Sequence, residues 1–184
     1  IDGLHKDKNL RNLITSIQDN IQDFLRTHEY FDVLGQLYIE FLKYANSDKG
    51  LGIVLTPPHV TKFMAELGEV NKNSVVYDCC TGTCGFLVSA MELMIKDARG
   101  DLATIQNIKK NQLVGVENKS HIFALACSNM FIHQDGKSNI FNGDCFDKKI
   151  IDKVKEYRPT VGLLNPPYKS DKKMILMNMN LSLT

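Results

Sequence analysis

From Leu10 to Leu25 the apolar residues Leu10, Leu13, Ile14, Ile17, Ile21, Phe24 and Leu25 recur every three or four positions, with charged and amide residues between them. That spacing predicts an amphipathic helix. A second helical pattern runs from Asp32, a suitable N-cap, through Leu34, Leu37, Tyr38, Phe41, Leu42 and Ala45 to the polar group Asn46-Ser47-Asp48. The two make a helical segment over 1–48, whose simplest role is packing, ahead of a main domain over 49–184. In that domain the period changes back and forth. Val75-Val76-Tyr77-Asp78, Leu113-Val114-Gly115-Val116-Glu117, Asn139-Ile140-Phe141-Asn142 and Val161-Gly162-Leu163-Leu164 read as short strands. Between them lie helical stripes: Phe86, Leu87, Ala90, Met91, Met94, Ile95 and Ala98; then Ile122, Phe123, Ala126 and Met130; then the stretch from Asp147 to Glu156. The segment from Gly100 to Asn111 reads as an insertion. Strands alternating with helices predict an α/β domain with a parallel sheet and helices on both faces.

Punctuation between these elements suggests where chemistry would sit. The first strand rises to Asp78 and runs through Cys79-Cys80-Thr81-Gly82-Thr83-Cys84-Gly85 into a helix. Glycine lets a ligand approach such a loop, and the helix start offers unpaired N–H groups. The spacing is neither Gly-x-Gly-x-x-Gly nor that of a phosphate loop ending in Gly-Lys-Ser/Thr, so a plain strand-to-helix turn is the competing account. Glu117 ends the second strand, where a carboxylate can accept two hydrogen bonds from a vicinal diol; as a lone acid it is equally a helix-flanking charge. Asp144 follows the third strand, placed either to touch a cofactor ring beside the first strand or to cap the helix from Asp147. Thr56 precedes Pro57 and is held extended, and Pro58 suits the first turn of a helix carrying Val60, Phe63, Met64 and Leu67.

Charged residues make up 23% of the 184 and balance to +1, which argues against disorder and against a strongly basic nucleic-acid surface. Contact with DNA would then need a local patch or a partner. No run approaches the length of a membrane span and the start of the chain has no signal core, so a cytoplasmic protein is expected. The five cysteines, at 79, 80, 84, 127 and 145, lack paired Cys-x-x-Cys spacing, and no nearby histidine completes a ligand set, so thiols and no metal are expected. Neither His-Glu-x-x-His nor Gly-x-Ser-x-Gly occurs, which removes the footholds of zinc hydrolysis and serine esterase chemistry.

The fourth strand ends in Asn165-Pro166-Pro167-Tyr168. Taken in order with Gly52 to Pro57, Asp78 to Gly85, Glu117 and Asp144, this resembles the gamma group of adenine-specific DNA methyltransferases. The helical prefix and the phrase Gly-Ile-Val-Leu-Thr-Pro-Pro-His bring the resemblance closer to the modification subunit of type I restriction-modification systems. It covers Asp32 to Tyr168.

The resemblance implies a Rossmann-like methyltransferase sheet that uses S-adenosylmethionine. Asn165 and Pro166 would then hold the target amine, Pro167 would stiffen the loop, and Tyr168 would stack on the base. For the cofactor it implies Asp78, Thr81, Gly82, Thr83 and Gly85 on the methionine part, Thr56 closing over that end, Phe86 near the sulfonium, Glu117 on the ribose and Asp144 on the adenine. Implied partners are double-stranded DNA, a specificity subunit and a restriction subunit. Methylation of RNA or of a protein glutamine is an alternative, since the motif suits any planar amino group; so is a silent binding module inside a restriction complex. The chain departs from the family pattern in two ways. Cys84 stands where members carry glycine and Cys79 where a rigid residue is common, which implies weakened cofactor binding. Four strands stand where such a sheet has about seven, which implies a sheet incomplete at the C-terminal side.

Overall fold

A computed structural model describes residues 8–27, 35–37, 55–133 and 139–166. Contacts divide the chain into two compact units, Ile1–Phe31 and Asp32–Thr184, whereas the sequence reading set its boundary after residue 48. The first unit contains α1 (Lys8–Thr27), a helix that runs a little beyond the predicted span at both ends. Ile14, expected on its apolar stripe, is 52% exposed. Of the second predicted helix only residues 35–37 are described, and these are helical; the rest of it lies outside the described residues.

The second unit opens with α2 (Pro58–Leu67), β1 (Val76–Asp78), α3 (Gly85–Asp97) and α4 (Leu102–Asn111). Then come β2 (Leu113–Glu117), α5 (Ser120–Ile132), β3 (Asn139–Asn142), α6 (Lys148–Glu156) and β4 (Val161–Gly162). The strands form one parallel sheet in the order β3-β2-β1-β4. Since β1 lies between β2 and β4, the chain reverses direction across the sheet there. In open parallel sheets such a reversal leaves a crevice at the carboxyl ends of the strands.

Both faces of β2 are buried, as a central parallel strand requires. On one face Val114 and Val116 pack with Ile150 and Val154 of α6, and Tyr77, Phe141 and Tyr157 border that cluster. Alternation sends Val76, Asp78, Leu113 and Gly115 to the other face. There α3 meets β1 and β2, and α5 meets β2 and β3. The core of this side includes Leu87, Met91, Met94, Ile122 and Met130, all fully buried.

The segment read as an insertion folds as α4, capped where the Asp101 carboxylate accepts from the Ala103 amide at 3.2 Å. Its Ile108 is fully buried, so α4 belongs to the crossover between β1 and β2 and lengthens the stretch from Gly82 to Glu117. Asp144 follows β3, which pairs with β2 and not with β1. The reading of Asp144 as the cap of α6 is corrected: that cap is Asp147, which accepts from the Lys149 amide at 2.7 Å.

Candidate functional site

At the carboxyl end of β1 the backbone stops pairing and turns. The Asp78 carboxylate accepts from the Cys80 amide at 3.0 Å, closing a tight turn directly after the strand. Three bonds, two to β2 and one from α5, then pin the loop. The Thr81 amide donates to the Val116 carbonyl at 2.9 Å. The Gly82 amide donates to the Glu117 carboxylate at 3.1 Å. The Asn129 side chain, buried on α5, donates to the Thr83 carbonyl at 2.7 Å. Gly82 has φ +54°, and a Cβ there would meet only Leu55, at 3.8 Å, so glycine serves the backbone conformation and not a steric need. Gly115 is the reverse case. A Cβ on it would stand 2.9 Å from Ile140 and 3.1 Å from Thr81, so the bare strand is what lets the loop lie down on β2.

Cys84 also takes a left-handed backbone, φ 74° and ψ 23°, one residue ahead of α3. Its side chain is fully buried, with the Thr81 hydroxyl 3.5 Å from the sulfur, and it does not line the hollow above the loop. The sequence concern was that cysteine here adds a side chain and discourages a positive φ. In the structure the cost falls on the backbone, which does take a positive φ.

That hollow is lined by Asp78, Thr81, Gly82, Thr83, Gly85 and Phe86 of the loop and helix start, and by Leu55, Thr56, Thr61 and Asn165 from other segments. Thr56 precedes α2, which starts at Pro58 after an extended Pro57 (φ −57°, ψ 142°). A buried hydroxyl pair, Thr61 with Ser89 at 2.7 Å, and an ion pair, Lys62 with Glu92 at 2.9 Å, fasten α2 to α3. Asn165 follows β4, whose pairing with β1 is prolonged by the Leu163 amide donating to the Tyr77 carbonyl at 3.0 Å. Its side-chain amide donates to the Thr56 hydroxyl at 3.1 Å, across 109 residues of sequence.

Asp78 is the electrostatic centre of the hollow. It is 1% exposed, and its second oxygen is buried with no hydrogen-bond partner among the described residues. Burial pushes its carboxyl up to about 7, and the nearby Glu117 charge pushes the same way, while the Cys80 amide bond opposes both. Among the described residues, no lysine, arginine or histidine lines the hollow. A bare, buried carboxylate oxygen with no cation beside it suits a positively charged group on a ligand.

The other predicted site residues are placed as follows. Glu117 ends β2, half-buried, with one oxygen on Gly82 and the other accepting from the Lys119 amide at 2.8 Å. Asp144 is exposed after β3, accepts from the Phe146 amide at 2.9 Å, and is not among the residues lining the hollow. Pro166 is exposed; Pro167 and Tyr168 lie outside the described residues. Sequence reading missed Thr61, Asn129 and Gly115. Asn129 sits inside an apolar helical stripe, where a buried amide is itself a signal that a backbone group elsewhere needs a donor.

Among the described residues no group of three His, Cys, Asp or Glu side chains could hold a metal, and no cysteine is in a disulfide. No helix among them is long and apolar enough to cross a membrane. A larger polar cavity of about 590 Å³ opens near the start of β1, lined by Lys72, Asn73, Gln112 and Tyr157 among others. It holds no orphaned buried atom, and the side chains singled out from the sequence lie elsewhere.

Residues 29–181 match the family model described as N-6 DNA Methylase. The chain is similar to the type II restriction enzyme and methyltransferase RM.BcgI of Heyndrickxia coagulans, 40% identical over 166 residues that cover 89% of this chain and 25% of that protein. It is also similar to the type I restriction enzyme EcoEI methylase subunit of Escherichia coli, 29% identical over 124 residues, covering 67% of this chain and 24% of the other. Thus it spans about a quarter of the length of these relatives. Among solved structures, a modification subunit assigned to a type I restriction enzyme from Vibrio vulnificus YJ016 superposes with a TM-score of 0.65 at 26% identity, over 80% of this chain and 30% of that one. The EcoKI M protein, a TM-score of 0.58 at 22% identity over 72% of this chain and 32% of its own, shares the fold.

Proposed function

The chain belongs to the N-6 DNA methylase family, and from that membership we propose that it carries the cofactor and amine sites of a site-specific adenine DNA methyltransferase in a restriction-modification system. The observation that supports this reading is the shared hollow, which both Asp78 and Asn165 line. A group held by the first would face an amine held by the second.

The residues suit S-adenosylmethionine. The bare oxygen of Asp78 would satisfy its ammonium group, the loop from Thr81 to Gly85 would lie along its methionine part with Phe86 close by, and Thr56 would close over that end. Glu117 is proposed for the ribose and Asp144 for the adenine. When bound, the cofactor supplies an electrophilic methyl group on sulfur.

The protein's own contribution concerns the amine. The N6 lone pair of adenine is delocalised into the ring and attacks poorly. An acceptor for each amino hydrogen pulls the nitrogen toward tetrahedral geometry and frees that pair. The side-chain oxygen of Asn165 and the backbone carbonyl of Pro166 are such acceptors, on a strand end stiffened by proline. No general base is required, since the N6 proton is acidified once the nitrogen carries the methyl and can leave to water. Tyr168 would stack on the base after it leaves the duplex. Proposed partners are duplex DNA, a specificity subunit and a restriction subunit.

Radiolabelled methyl transfer to adenine in duplex DNA, beside RNA and protein substrates, tests the proposal. The chain would be assayed alone and with the specificity and restriction subunits encoded with it. Label should appear on adenine N6 of DNA. Asn165→Ala should lower the transfer rate by roughly two to three orders of magnitude, as loss of a positioned transition-state partner does, while calorimetric affinity for the cofactor stays unchanged. Label on RNA or protein alone, or full activity in Asn165→Ala, would overturn it.

A further inference from the structure

A primary amide has two ends of nearly equal shape and opposite chemistry. If the nitrogen of Asn165 faced the target amine, two donors would meet and the site could not accept a hydrogen from it. We infer that Thr56 is a positioning residue for Asn165: its hydroxyl takes the amide nitrogen and so turns the side-chain oxygen toward the amine. This rests on the methyl-transfer reading above and adds to it a residue that acts through another.

The geometry supports the assignment in three ways. The Asn165 nitrogen donates to the Thr56 oxygen at 3.1 Å, and an amide nitrogen can only donate, whereas a hydroxyl oxygen can accept. Both side chains wall the hollow that holds Asp78, so the bond lies at the site. Thr56 is also a firm support. It is fixed extended ahead of Pro57, and α2 behind it is fastened to α3 by Thr61 and Ser89 at 2.7 Å. The bond therefore ties the segment leading into α2 to the end of β4.

The test compares Thr56→Val, which keeps the shape and loses the acceptor, with Thr56→Ser, which keeps the hydroxyl. Nitrogen-15 spectra of the chain report the Asn165 side-chain amide, identified by its disappearance in Asn165→Asp. In the wild type its protons should show cross-relaxation with the Cβ proton of Thr56. Thr56→Val should move this resonance to the position of an unbonded amide and slow methyl transfer at saturating DNA and cofactor by about tenfold, the worth of one neutral hydrogen bond. Thr56→Ser should restore both signals. The inference is overturned if the wild type shows no such cross-relaxation or if Thr56→Val leaves the amide resonance in place. It is also overturned if Thr56→Val weakens cofactor binding with the saturated rate intact, or if it speeds transfer. A wild type that transfers nothing to adenine would remove the proposed reaction instead, and the amide resonance would still decide the orientation.

Discussion

Asp78 ends a strand with one oxygen hydrogen-bonded and the other bare. Its carboxyl titrates near 7, above the ordinary 3.8, mainly because burial penalises the charge. Between those two values the folded chain holds this proton more tightly than the unfolded chain does. Stability therefore falls as pH rises from 4 to 7 and stays low above it. Thermal unfolding followed by circular dichroism should show this fall, and Asp78→Asn should flatten it by an amount on the order of a few kcal/mol at pH 8. Cofactor affinity should move the other way, tightening through pH 7 as the carboxylate forms. Cys84 gives a second residue-scale expectation. Cys84→Gly relieves about 1 kcal/mol of left-handed strain and gives up a comparable amount of buried sulfur contact, so the melting temperature should barely move. Since the sulfur does not line the hollow, calorimetry should find cofactor affinity unchanged as well. From the sequence, Asp78 and Asn165 can be singled out because they fall in the motifs that carry the family resemblance. The left-handed backbone at Cys84 is signalled only by that resemblance, which has glycine there, since a cysteine carries no conformational signal of the kind glycine does.

At the scale of elements, the loop after β1 is held by β2 through Thr81 and Glu117 and by α5 through Asn129. Gly115 makes this possible. Gly115→Ala would press a methyl on Thr81 and Ile140, and should destabilise the fold by about 1–3 kcal/mol in urea titration, as overpacking typically does. Because the displaced neighbour is the loop itself, cofactor binding should weaken in the same variant. The order of strands and helices was readable because the hydrophobic period switches sharply between two and about 3.6. The helical state of α4 was not readable because only Ile108 of its ten residues is buried, too little to print a stripe. The contacts that pin the loop were not readable at all, since they join positions 35 and 46 residues apart through side chains that look incidental in sequence.

At the scale of the sheet the four parallel strands place the loop after β1 beside the end of β4, and residues of both segments line one hollow. The parallel α/β sheet follows from the sequence; the order β3-β2-β1-β4 does not, because strands of this length carry almost no pairing information. Charge speaks at this scale too. With a formal charge of +1, the chain alone should hold duplex DNA weakly. Fluorescence anisotropy should give a slope of log affinity against log salt shallower than about −3, meaning few neutralised phosphates. A steeper slope would reveal a basic patch that the net charge conceals.

Among the described residues that line the Asp78 hollow there is no lysine, arginine or histidine. A nucleotide that presents phosphate would meet the Asp78 carboxyl there with no described side chain to neutralise it, although the glycine turn would otherwise tolerate its bulk. The same repulsion would turn back the sugar-phosphate rail of a nucleic acid while admitting an uncharged heterocycle swung out from it, so the recess sorts its visitors by sign before any shape is read.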